Sequence, residues 1–67
     1  MAAMKTAGQI FKDARLKKDL TQVELAKKAG VYPNTYSKIE RDEQEPSFAT
    51  AKKLAKVLDI DISDIPA

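Results

Sequence analysis

An all-α domain, a compact bundle of about five short helices, is the fold class this sequence predicts, and three observations carry it. Apolar residues recur at the three- and four-residue spacing of a helix face, with no strand-like alternation of useful length. Two Thr-x-x-Gln/Glu boxes, at Thr6 and Thr21, have the spacing that closes a helix N-terminus. Between the apolar stripes the turn-forming residues fall in short clusters, so the connections are brief and no linker or repeat interrupts them.

The first helix begins at Thr6, whose side chain and that of Gln9 each reach a free backbone N–H. Ala7, Ile10, Phe11 and Ala14 make its apolar stripe, while Lys12, Lys17 and Lys18 point elsewhere. The second helix follows the box Thr21-Gln22-Val23-Glu24, with Val23, Leu25, Ala26 and Ala29 on its buried side. Gly30 ends it, because glycine enters the left-handed conformation without a Cβ penalty. Pro33 then starts a third helix, since the first helical position needs no N–H. Tyr36 and Ile39 face inward there. Residues 41–46 are polar and acidic and read as a loop, and Ser47 caps a fourth helix carrying Phe48, Ala51, Leu54, Ala55 and Leu58. Ile60, Ile62 and Ile65, set among Asp59, Asp61 and Asp64, suit a short fifth helix before Pro66. These isoleucines close the core or form a dimer seam.

Sixty-seven residues make one domain, with residues 6–65 as its expected extent and residues 1–5 as a disordered N-terminus or a cloning remnant. A chain this short buries only about 60% of the surface its unfolded form exposes. It has no cysteine for a disulfide, and without cysteine or histidine it lacks the usual zinc ligands and nucleophile pairs. An enzyme is therefore not expected, nor a metal, a cofactor or a small-molecule ligand. No apolar run is long enough to span a membrane or serve as a signal peptide, so the cytoplasm is the expected compartment. The net charge of +2 permits nucleic-acid binding without demanding it. Its distribution is uneven, with three carboxylates and no base in residues 42–46.

The informative stretch is residues 22–41. Two short helices that cross at about 90–120° over a three- or four-residue turn need backbone freedom in the turn and a small side chain at the crossing. Gly30 and Ala26 supply these, and Tyr36 and Ile39 supply the buried side of the second helix. With those two inward, Asn34, Ser37, Lys38 and Arg41 share the outward face.

Leu20-Thr21-Gln22-Val23-Glu24-Leu25-Ala26-Lys27-Lys28-Ala29-Gly30-Val31, followed by Tyr36-Ser37-Lys38-Ile39-Glu40-Arg41, resembles the helix-turn-helix core of the Cro and phage-repressor (XRE) family. Pro46-Ser47 and Lys53-Leu54-Ala55-Lys56 are similar to its fourth helix, and residues 11–15 to its first. The resemblance implies a lambda-repressor-like domain, dimeric, that binds double-stranded DNA and regulates transcription. It places Gln22 on a phosphate, a role that suits a helix N-terminus with its free N–H groups. It makes the third helix the recognition helix in the major groove, with Tyr32 and Pro33 at phosphate and first base. Asn34 then pairs with adenine, Lys38 donates to guanine, and Ser37 reaches a base or a phosphate. Arg15 and Glu40 match a pair that crosses the core. The loop departs from the family's glycine and basic residues: Asp42, Glu43 and Glu45 repel a DNA backbone if they face it, which leaves Arg41 and loop N–H groups as its phosphate contacts.

The resulting expectation is a transcriptional regulator, a repressor, bound as a homodimer to a palindromic operator and nucleoid-associated when bound. Two alternatives stay open: a small protein-interaction module of the antitoxin or anti-regulator kind, and the isolated DNA-binding domain of a longer regulator.

Overall fold

Four α-helices and one 3-10 turn make up the computed structural model, which describes residues 5–65. They are α1 (Ala7–Lys17), α2 (Gln22–Ala29), α3 (Pro33–Glu40) and α4 (Phe48–Leu58), followed by the turn Ile62–Asp64. The expectation for residues 1–4 lies outside the described residues. Lys5 pairs through its ammonium with Asp13.

The caps form where the sequence places them. The Thr6 hydroxyl accepts from Gln9 N at 3.2 Å, and Gln9 Oε1 accepts from Thr6 N at 3.0 Å. Thr21 and Glu24 repeat the exchange at 3.1 and 2.9 Å. The Ser47 hydroxyl accepts from Thr50 N at 3.2 Å and starts α4. Gly30 closes α2 with φ of 70°. The other three helices turn off through an aspartate at positive φ instead: Asp19 at 54°, Asp42 at 60° and Asp59 at 58°. Aspartate tolerates this region better than most residues with a Cβ.

Phe11, Leu25, Tyr36, Ile39 and Leu54 are the largest fully buried side chains and form one core from all four helices. α2 packs on α4 and on α3, and α1 on α3 and α4. Ala26, fully buried, lets α2 and α3 approach, and its carbonyl accepts from Val31 N at 2.8 Å to set the turn between them. Ile60, Ile62 and Ile65 lie partly buried against the core edge.

One expectation, the burial of Val23, is corrected, and two readings are sharpened. The tail forms a single 3-10 turn and no fifth α-helix, because Ile65 is extended ahead of Pro66, as a residue before proline prefers. Val23 is 47% exposed rather than buried. At about 100° per residue it falls to one side of the stripe that Leu25, Ala26 and Ala29 define. Phe48 is 71% exposed. It is the first residue of α4, at the margin of that helix's stripe, and the Lys52 ammonium lies 5.8 Å from its ring centre.

Gly8 marks a close approach that the sequence reading missed. A Cβ there would fall 2.5 Å from the Ile39 carbonyl oxygen and 2.6 Å from that of Glu40. The start of α1 therefore abuts the end of α3 at a distance only glycine allows.

Candidate nucleic-acid interface

α2, the turn through Gly30 and α3 form a helix-turn-helix whose second helix is buried along one side only. Tyr36 and Ile39 are fully covered, whereas Asn34, Lys38 and Arg41 are exposed and Ser37 is half-buried. The outward stripe thus contains the four residues that helical spacing assigns to it. Lys38 makes no ion pair among the described residues, so its three donors are uncommitted. At the start of α3, Tyr32 takes the N-cap position without a side-chain capping bond and is 81% exposed, and Pro33 is the first helical residue. Tyrosine has no short side-chain acceptor for the helix N–H groups, which leaves the phenol free to reach outward.

Gln22 stands at the first position of α2, half-buried, and its carboxamide is engaged inside the protein. Its Nε2 donates to Glu40 Oε1 at 3.0 Å. Glu40, at the last position of α3, also receives a two-pronged contact from Arg15, with Nε to Oε2 at 3.0 Å and Nη2 to Oε1 at 2.9 Å. Arg15 Nη1 donates to the Leu20 carbonyl at 2.7 Å. One buried cluster thereby ties α1, the turn after it, α2 and α3 together. Burial pushes the Glu40 carboxyl up, but hydrogen bonds from Arg15 and Gln22 outweigh it and hold the group below the usual carboxylate range. The same Glu40 contact raises Arg15 further into its protonated state. The Tyr36 hydroxyl, buried beside them, has no hydrogen-bond partner among the described residues, and burial pushes its pKa up.

The acidic loop does not present all its charge outward. Asp42 turns back to the start of α1, where Oδ2 accepts from the Thr6 hydroxyl at 2.6 Å and Oδ1 from Gly8 N at 3.2 Å. An anion at a helix N-terminus is favourably placed. Glu43 pairs with Arg41, Nε to Oε2, at 3.0 Å. Both partners are more than half exposed, so the pair is weak and leaves Arg41 able to exchange it for a phosphate. Among the seven residues expected at the interface, Tyr32, Pro33, Asn34, Ser37, Lys38 and Arg41 line α3 and its ends. Gln22 joins them from α2 and is tied to α3 through Glu40. The Gln22–Glu40 and Asp42–Gly8 bonds were not foreseen; Gly8 itself, near a helix start with no turn to justify it, was the available signal.

Among the described residues no group of three His, Cys, Asp or Glu side chains could hold a metal ion, and no helix is long and apolar enough to cross a membrane.

Comparison with known proteins accords with this geometry. A family model described as helix-turn-helix matches residues 11–65. The immunity repressor protein of Bacillus phage phi105 is 42% identical over 60 residues, 90% of this chain and 42% of the repressor. The cryptic phage CTXphi transcriptional repressor RstR of Vibrio cholerae is 39% identical over 55 residues, 82% of this chain and 50% of the repressor. The chain thus spans half or less of the length of these two repressors. Among solved structures, the master regulator for biofilm formation SinR in complex with DNA superposes with a TM-score of 0.83 at 39% identity, covering 87% of this chain and 94% of that one. With the Gln22-to-Arg41 geometry inside the matched segment, the chain belongs to the helix-turn-helix family of the Cro and phage-repressor (XRE) type.

Proposed function

We propose that this chain is a sequence-specific DNA-binding domain that regulates transcription, and that it acts as a repressor. The observation that carries the reading is the exposed stripe Asn34, Ser37, Lys38 and Arg41 on a helix whose opposite side is locked into the core by Tyr36 and Ile39. A helix of this kind enters the major groove with its N-terminal residues on base edges. Asn34 offers a bidentate donor–acceptor pair for adenine, and Lys38 donates to guanine N7 and O6. Ser37 contacts a base or phosphate. Gln22, Tyr32, Pro33 and Arg41 position the domain on the backbone, which fixes orientation without reading sequence. Such a protein works where the DNA is, in the cytoplasm, and no catalytic role is assigned.

A homodimer with recognition helices about 34 Å apart reads two inverted half-sites one helical turn apart. Selection from a random duplex library at physiological salt tests this directly. Enrichment of inverted half-sites with that spacing is the expected result; a single half-site refutes the dimer, and no enrichment refutes the regulator. The second reading, a protein-interaction module, draws on Phe48, large, apolar and exposed beside the acidic loop. It requires a DNA affinity nearly independent of salt, whereas phosphate binding loses affinity steeply as counterions compete.

A further inference from the structure

We propose that Glu40 is a positioning residue for backbone binding: it holds the Gln22 carboxamide nitrogen-inward, so that the remaining N–H of that nitrogen is presented to a DNA phosphate at the start of α2. The inference rests on the DNA-binding reading given above and adds a residue that never touches DNA to its machinery.

The chemistry dictates the orientation. An ionised carboxylate only accepts hydrogen bonds, so the Gln22 atom 3.0 Å from Glu40 Oε1 must be the nitrogen. One of its two N–H groups is spent on Glu40, and the other makes no hydrogen bond among the described residues. A glutamine at the edge of a domain otherwise samples many rotamers, and ordering such a side chain on binding costs affinity. Here that cost is met during folding. Glu40 is itself immobile, because Arg15 grips both of its oxygens. Arg15 also neutralises it, so a carboxylate close to the backbone site does not repel the phosphate. The side chains of this pair are nearly closed to solvent, with exposures of 11% and 4%. Glu40 stays ionised through the neutral range, since its carboxyl is held below the usual value. Because Glu40 belongs to α3 and Gln22 to α2, the bond also fixes the backbone contact of one helix to the register of the helix that reads bases.

Two experiments test the proposal on the whole chain. In the free, 15N-labelled protein, one proton of the Gln22 side-chain NH2 resonates downfield and exchanges slowly compared with those of Gln9 and Gln44. Glu40→Gln weakens that signature, because Oε1 already serves both Arg15 and Gln22 and a neutral amide oxygen is a poorer acceptor than a carboxylate. An ordinary Gln22 NH2 pair in the unsubstituted protein overturns the proposal. The second is a double-mutant cycle on the duplex recovered by selection. Glu40→Gln weakens binding about 3- to 10-fold, the equivalent of one hydrogen bond, and has less than about a twofold effect in the Gln22→Met background. Equal weakening in both backgrounds makes Glu40 a purely structural residue and overturns the proposal. Should Glu40→Gln fail to fold, Glu40→Asp replaces it, keeping the charge for Arg15 but retracting the acceptor from Gln22. If the duplex binds and Gln22→Met has no effect, the proposal falls while the regulator stands. If no duplex binds at all, both fall.

Discussion

The two ends of α3 are built in opposite ways. Its C-terminal end is clamped: Ile39 is buried, Glu40 is gripped by Arg15 and Gln22, Gly8 sits against the last carbonyls, and Asp42 reaches over to the start of α1. Its N-terminal end is bare. Tyr32 offers no capping side chain, Pro33 starts the helix by fixing φ, and Asn34 is exposed. The difference teaches how a short helix is held in place while one of its ends stays accessible. Eight residues have little helical stability of their own, so one end is anchored by tertiary contacts and the other is left exposed.

The comparison can be broken most severely at the clamp. Arg15→Ala leaves Glu40 buried without its partner and is expected to lower unfolding free energy by about 3–5 kcal/mol in urea titration. A loss under about 1 kcal/mol would mean that the pair does not anchor α3. Gly8→Ala drives a Cβ onto two backbone oxygens and is expected to cost about 1–3 kcal/mol of stability. At the bare end the pattern reverses. Lys38→Ala should leave stability within about 0.5 kcal/mol, as a surface substitution does. It should cost about 1–3 kcal/mol of binding to the preferred duplex and relax selectivity at one base pair. Equal loss on every sequence would instead make Lys38 a phosphate contact.

Acid sharpens the contrast least destructively. The Glu40 carboxyl is held below its ordinary value of 4.5, so its contribution is complete above that value and is lost as pH falls through the folded value. The urea midpoint should therefore decline below about pH 4.5, and Glu40→Gln should flatten part of that decline. Asp13, Glu24 and Asp61 are also lowered, by hydrogen bonds from Lys5, Thr21 and Ser63, but they stand in solvent and add little. A pH profile unchanged by Glu40→Gln would place the acid sensitivity elsewhere.

The bare end was more legible in the sequence than the clamped end. Asn34, Ser37, Lys38 and Arg41 follow from counting round a helix whose inward residues are Tyr36 and Ile39, and Pro33 announces the start. Of the clamp, helical spacing places Ile39 inward and family resemblance supplies the Arg15–Glu40 pair; its other contacts are not legible in the sequence. The bond from Gln22 to Glu40 joins residues 18 apart, and that from Gly8 to Asp42 residues 34 apart. No local rule links such positions. Val23, expected on the buried side, and Phe48 are exposed for a related reason: apolarity says that a side chain gains by burial, not that a neighbour is there to bury it.

The sequence by itself determined the helices, three of their N-terminal caps, the turn at Gly30 and the outward stripe of α3. All of these rest on interactions within about four residues, where periodicity and capping chemistry operate. Tertiary structure alone decided that Asp42 turns back to the start of α1, that Phe48 stays exposed, that the tail stops at one turn of 3-10 helix, and that Gln22 is held by Glu40. These depend on the angles at which helices cross and on how closely backbones approach, and such distances are set jointly by every side chain in the core.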